Sequence, residues 1–410
     1  MSRFHATSHG MLAVLLALLS MLGPFSIDTI FPGFPDIARE FGVGKVEMQQ
    51  TLSVYLVAYA LMGLFHGPLS DAYGRRPVIV VGLGVYALSA AAAALTTSMT
   101  ALLVCRALQG MSAGAGQIVG RAIVRDRYHG AEAQRLMAQV TLIFGIAPAI
   151  APVVGAALLG IAGWRGIFWA MAAFALALGA ACALSLPETH AREARQPFAP
   201  APLLATCRHI LGDRQFWPLA ISSTVNFSAL FVYIVSAPAF VLDLLHLSRA
   251  GFPWLFVPAI GGMMAGAWLS GRLAGKVSVA ATVGAGYAIM LAASAANVAL
   301  HAWLPQPRLP WSVIPIGVHA IGITLSFPTL VLLLLDRFPA HRGAASSMQT
   351  FVALIFNAVL AGAISPLLSD SAPKLALGAA LLTAVGFASW RWYRAMCRRE
   401  AAQAAPAPAA

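Results

Sequence analysis

Apolar residues run in long blocks along nearly the whole chain, separated by short charged or Gly/Pro-rich turns. A helix crosses about 30 Å of hydrocarbon with roughly 20 such residues. Twelve blocks meet that length, at about 11–33, 47–66, 78–97, 100–122, 136–160, 165–186, 217–241, 252–271, 278–300, 311–335, 345–368 and 375–394. The pattern therefore predicts an all-α integral membrane protein of twelve transmembrane helices in two bundles of six. The longest polar stretch, Glu188 to Gln215, falls near mid-chain. It separates an N-terminal bundle (1–190) from a C-terminal one (216–398) through a linker (191–215). The last residues, 399–410, end in AAQAAPAPAA and read as a disordered tail. The first block lacks a small-x-small cleavage site and is followed by further spans, so it reads as an uncleaved helix.

The halves echo each other weakly at a shift of roughly 200 residues. LSDAYG from Leu69 matches LSGRLAG from Leu269, and MAQVTLIFG from Met137 matches MQTFVALIFN from Met348. Parallel six-span repeats are an arrangement used by transporters, with the substrate path where the repeats meet.

Composition supports the membrane reading. Hydrophobic residues make up 60% of the 410 and charged residues 10%, with a mean hydropathy of +0.79. That leaves too little polar surface for a water-soluble globule. With the amino terminus inside, nineteen of the 26 Lys and Arg fall on the inner side, six on the outer side, and Arg106 within a span. The positive-inside rule then places both termini and the linker in the cytoplasm, as in a multi-pass protein of the cell inner membrane. The +12 net charge follows from topology, and no nucleic-acid footprint is seen. The four cysteines are scattered, which supports neither a disulfide framework nor a metal site. No cofactor is implied.

Charges within spans are the strongest single signals, because one at the bilayer centre costs at least about 2.5–3.5 kcal/mol. Asp28 is the one carboxylate well inside a block, and Arg106 the one deeply placed base. Both fall in the outer third of their spans, so Asp28 can pair with Arg106 or take a proton when a cationic substrate leaves. In the fourth block Arg106, Gln109, Gly110, Ala113, Gly114 and Gln117 form a stripe of polar or small residues at helical spacing. Leu102, Leu103, Leu108, Met111 and Ile118 are left to face lipid. Such a stripe lines a water-filled path or a tight helix contact, and the arginine favours the path.

Tyr55 and Tyr59 share one face of the second span, Asn226, Tyr233 and Ser236 lie on the seventh, and Asn357 on the eleventh. Together with Gln109 and Gln117 these are the candidate substrate contacts, since an aromatic cavity with few polar groups suits amphiphilic ligands. His319 is a candidate proton relay or a locally bonded histidine. In the fifth span Gly145, Pro148, Pro152 and Gly155 suggest a kinked packing helix or a hinge. Between the second and third spans lies Gly67-Pro-Leu-Ser-Asp71-Ala-Tyr-Gly74-Arg75-Arg76-Pro77. There Gly74 permits a tight turn and Asp71 offers a carboxylate to an arginine or a helix N-terminus.

This loop resembles the signature of the major facilitator superfamily, and Arg106-Ala-Leu-Gln-Gly110 resembles its fourth-span arginine motif. Gly145 to Gly155 is similar to the fifth-span motif of its drug:proton antiporters. Asp28-Thr-Ile-Phe-Pro32, Gly163-Trp-Arg-Gly-Ile-Phe-Trp169, Leu186-Pro-Glu-Thr189, Tyr233-Ile-Val-Ser-Ala-Pro238 and Gly343-Ala-Ala-Ser-Ser347 resemble the bicyclomycin-resistance (Bcr/CflA) branch. The resemblance implies bundles that rock about a central site and couple inward proton flow to outward drug movement. It implies coupling roles for Asp28 and Arg106, and a conformational gate at Gly67, Asp71, Gly74, Arg75 and Arg76. Ala72 stands where the family usually has a base, and Gly271 where the second loop would have its acid.

The expected function is a proton-coupled multidrug efflux antiporter, a monomer whose partners are the bilayer, protons and small drug-like molecules. The alternative is a transporter of one metabolite, an amino acid or sugar. An enzyme would need a clustered nucleophile, metal set or paired carboxylates, and one buried acid with scattered histidines does not supply them.

Overall fold

The computed structural model describes residues 9–404 except 129, 196, 274, 305 and 340. Within these, side chains are described except at 9, 130–131, 133–135, 138–139, 141–146, 194, 401, 402 and 404. All regular structure among the described residues is helical. In chain order the helices are α1 (His9–Asp28), α2 (Phe34–Phe41), α3 (Lys45–Tyr73), α4 (Arg75–Leu95), α5 (Met99–Arg127), α6 (Gly130–Ser185), α7 (Pro200–Gly212), α8 (Phe216–Val235), α9 (Pro253–Leu273), α10 (Val279–Trp303), α11 (Ile314–Arg337), α12 (Arg342–Val359), α13 (Ser365–Leu368) and α14 (Ala372–Ala404).

Helix ends follow local chemistry. Ser98 and Ser278 cap α5 and α10 by accepting the amides of Ala101 and Ala281, each at 3.3 Å. Glu47 reaches back to the Gly44 amide at 3.0 Å and so closes the start of α3. That helix ends at Gly74, whose φ of 103° lies outside the range of ordinary L residues.

Ten stretches among the described residues are long and apolar enough to cross a membrane. Helix α5 is not among them, because its glycines, glutamines and arginines dilute its leucines. The stretch Ala147–Ser185 counts once, although the backbone of α6 breaks at Ala162 and Gly163, the latter at φ 66°. With α5 included and α6 taken as two, the number agrees with twelve. Large apolar side chains such as Leu88, Ile161 and Leu184 point outward, an arrangement suited to lipid rather than water.

The chain divides into two compact units. The first comprises Met1–Ala199, Val235–Ile260 and Asn357–Leu367, and the second Pro200–Ile234, Gly261–Phe356 and Leu368–Ala410. In the first, glycines of α5 and α6 bring backbones together. A Cβ at Gly110 would fall on the Tyr55 carbonyl, and one at Gly155 on the Thr29 carbonyl. A Gly155→Leu substitution is therefore expected to push α6 off the end of α1. It should cost about 1–3 kcal/mol, read as a lower melting temperature of the detergent-purified protein.

One sequence expectation is corrected here. Leu102 does not face lipid: it is fully buried, because the outward face of α5 runs through Val104, Leu108 and Met111 instead. The helix α6 runs on through its prolines. Helical dihedrals continue through Pro148 and Pro152, and the non-helical pair lies further on at Ala162 and Gly163. Gly145 falls among the residues whose side chains lie outside those described.

Candidate functional site

The site grows from the carboxyl end of α1. A helix ends with carbonyls that lack intrahelical partners and with the negative end of its dipole. Helix α1 ends at Asp28, so its terminal carbonyls need a donor, and the donor is Arg106 of α5. Its Nη1 donates to the Ser26 carbonyl at 3.3 Å, to Ser26 Oγ at 3.2 Å and to Gln109 Oε1 at 2.7 Å. Its Nε donates to the Thr51 carbonyl of α3 at 3.3 Å. The guanidinium also lies over the Tyr55 ring, 4.5 Å from the centroid. One fully buried arginine thus ties α1, α3 and α5 together.

Asp28 is itself 3% exposed, yet it forms no ion pair with Arg106, nor any other hydrogen bond or ion pair among the described residues. A buried carboxylate without a cation is costly. A proton or a nearby cation relieves that cost.

Around this pair the tyrosines are buried and engaged. Tyr55 donates to the Gly23 carbonyl at 3.2 Å and Tyr59 to Gln117 Oε1 at 2.7 Å. Tyr86 donates to Ser26 Oγ at 2.7 Å. Two nitrogens, Arg106 Nη2 and Gln109 Nε2, have no hydrogen-bond partner among the described residues. The small residues of the α5 stripe resolve into a close helix contact, since Gly110 meets the Tyr55 backbone and Gly114 the Tyr59 ring. Arg106, Gln109 and Gln117 remain as its polar members.

The second unit holds a separate polar set. Asn226 donates to Ser326 Oγ at 2.8 Å, and its Oδ1 has no hydrogen-bond partner among the described residues. Tyr233 accepts from Asn297 Nδ2 at 2.7 Å. His319 Nε2 lies 2.9 Å from Thr383 Oγ1, the locally bonded alternative for this histidine. The cavity that Tyr233, Asn297 and His319 line measures only about 10 Å³, room for one water at most. Asn357 and Ser236 belong to the first unit, where Asn357 is buried and Ser236 Oγ lies 2.8 Å from Ser365 Oγ.

The loop between α3 and α4 forms a charge cluster despite Ala72. Arg75 pairs with Asp71 of its own loop and with Asp126 at the end of α5, at 3.1 Å, and also donates to Ser70 Oγ at 2.6 Å. Glu188 closes the start of α4 by accepting the amides of Arg75 at 3.0 Å and Arg76 at 3.2 Å. Arg76 in turn donates to the Ala183 carbonyl near the end of α6. Gly74 sits against Glu188 and Arg195, where a Cβ would not fit, while at Gly67 a Cβ would meet open space. In the second half Arg272 has no matching acid; it lies over the Trp268 ring, 4.1 Å from its centroid.

Asp126 and Glu188 belong to this charge cluster, and the motif alone did not assign them. Glu188 stood in the Leu186–Thr189 motif without a role, and Asp126 had no local signal beyond its flanking arginines. Arg75→Gln should leave Asp71 and Asp126 uncompensated and cost about 1–3 kcal/mol, measured by thermal denaturation. Asp71→Asn should cost less, since that carboxylate is half exposed.

The chain matches the Major Facilitator Superfamily over residues 16–366 and belongs to that family. It is 31% identical over 360 residues to an uncharacterised MFS-type transporter, YdgK, of Bacillus subtilis, covering 87% of this chain and 88% of the relative. It is 30% identical over 344 residues to the multidrug resistance protein MdtM of Salmonella typhimurium, covering 84% and 83%. Among solved structures, a bacterial homologue of the human lysosomal transporter Spinster, inward-facing and unoccupied, aligns with a TM-score of 0.72. That match has 17% identity and covers 98% of this chain and 99% of the other; it speaks to the fold alone.

Proposed function

We propose that this protein is a proton-coupled antiporter that exports small amphiphilic toxic compounds from the cytoplasm by alternating access. The observation that carries the reading is the buried Asp28, which has no cation partner among the described residues and sits at the carboxyl end of α1 beside the Arg106 cluster. A group so placed binds a proton or a cationic substrate in turn, which is the exchange that antiport requires. The drug-like substrate class is supported by the likeness to a multidrug resistance protein. It is supported too by buried tyrosines carrying few polar partners.

In this reading Tyr55, Tyr59, Gln109, Gln117, Asn226, Tyr233 and Asn357 contact substrate. The bundles 1–190 and 216–398 rock about the site on the 191–215 linker. The Arg75 cluster latches the cytoplasmic side, and Gly145, Pro148, Pro152 and Gly155 let α6 shift against α1. The protein works as a monomer in the inner membrane with both termini in the cytoplasm.

The test uses proteoliposomes with an acid interior and an enclosed pH dye. Cationic and neutral drugs, then amino acids and sugars, are added outside. Inward drug movement exchanged for outward protons raises the internal pH, and this is the expected response to drugs. Silence with every drug and a response to one amino acid or sugar would overturn the multidrug reading and leave a specific transporter.

A further inference from the structure

The charged cluster that closes the start of α4 leaves a basic hollow beside it whose residues the gate does not use up. The segment after α6 turns back across the start of α4, held there by Glu188 on the Arg75 and Arg76 amides. Between them opens a cavity of about 440 Å³, within the roughly 300–1,000 Å³ typical of small-molecule sites. Its walls carry Arg76, His190, Arg192 and Arg195 on one side and Val80 and Ala183 on the other. Glu188 is the single carboxylate in the lining, and it is already engaged by the two amides and by Arg195 at 3.8 Å. Three guanidiniums against one acid leave the hollow with a net positive charge.

Two further observations point to a ligand. His190 Nε2 and Arg195 Nε are buried and have no hydrogen-bond partner among the described residues, and groups of this kind are normally satisfied. Arg192 is exposed and forms no ion pair among the described residues. The position also matters. Arg76 lies at the start of one candidate span and Ala183 near the end of another, the level at which spans of this length meet lipid headgroups. Its apolar wall adjoins Val81 and Leu184, which are exposed and face where acyl chains run.

We infer that this hollow binds the phosphate headgroup of an anionic phospholipid, with the acyl chains lying along Val80, Val81 and Leu184. Arginine suits the role because its planar fork donates to two phosphate oxygens at once. Basic pockets between spans hold anionic headgroups on the cytoplasmic side of membranes. The binding itself does not depend on the proposed drug transport, and only the choice of leaflet rests on the proposed orientation.

The test is retention of dioctanoyl phosphatidylglycerol by the detergent-purified full chain, read by native mass spectrometry and by thermal shift. Dioctanoyl phosphatidylcholine and inorganic phosphate serve as comparison probes. Wild type should retain phosphatidylglycerol and melt higher with it. The double variant R192Q/R195Q should bind it at least about tenfold more weakly, and R192Q alone, exposed and unpaired and so safe for folding, should weaken it in the same direction. The variant R398Q/R399Q, which removes equal charge from the end of α14, should bind as wild type does. Equal retention by wild type and R192Q/R195Q, or equal loss in R398Q/R399Q, would overturn the site. Protection by phosphate or phosphatidylcholine as strong as by phosphatidylglycerol would overturn the lipid assignment.

Discussion

Asp28→Asn is expected to reduce drug-triggered proton release to background while leaving the protein folded and inserted. Asparagine matches the carboxyl in size and removes its ability to carry a proton on and off. The folded state loses no partner in the exchange, because Asp28 makes no ion pair or hydrogen bond among the described residues. Its place at the last residue of α1 sets a carboxylate against the negative end of the helix dipole. The neutral amide should therefore melt at the wild-type temperature or slightly above it, with a gain of up to about 1 kcal/mol. Release assays and thermal denaturation on the same preparation separate the two effects. Proton release that survives unaltered would move the coupling site elsewhere. Glu47 and His319 would be next to test, although each already holds a local bond, to the Gly44 amide and to Thr383.

The sequence located these charges because a carboxylate or guanidinium within an apolar run is costly unless it faces a cavity or a partner. It could not say whether they meet. That depends on the rotation of α5 against α1, which periodicity leaves free, and Arg106 turned out to serve the Ser26 and Thr51 carbonyls rather than Asp28. The charged loop before α4 was legible for a similar reason, through Asp71, Gly74 and the paired arginines. Its partners were not, since Asp126 and Glu188 lie 51 and 113 positions from Arg75. No local spacing encodes a pairing of that reach. The α5 stripe was ambiguous in kind. Small residues suit both a water path and a close helix contact, and only the approach of the Tyr55 backbone to Gly110 decides it. Leu102 shows the same limit, because a periodic face does not reveal how much of it a neighbouring helix covers.

Arg106→Lys is the substitution in which charge is kept and function should nevertheless fail. Arginine meets four acceptors on three helices from different nitrogens, at 2.7 to 3.3 Å, and stacks over Tyr55. A lysine carries its three donors on one atom and holds its water more strongly. It cannot span from the Thr51 carbonyl to Ser26 and Gln109 at once, so buried acceptors are left unsatisfied at the end of α1. Breaking a buried, charge-assisted network of this sort costs about 2–4 kcal/mol. The variant should melt several degrees lower in detergent and show proton release near background. Gln109→Ala provides the contrast. It removes one acceptor of the arginine and should cost about 1–2 kcal/mol, with transport reduced rather than lost. If Arg106→Lys instead melts and transports as wild type does, the positive charge alone suffices and the fork that joins α1, α3 and α5 is not what the site requires. If stability falls while coupling persists, Arg106 is a brace for the helix end, and the proton is handled by Asp28 without it.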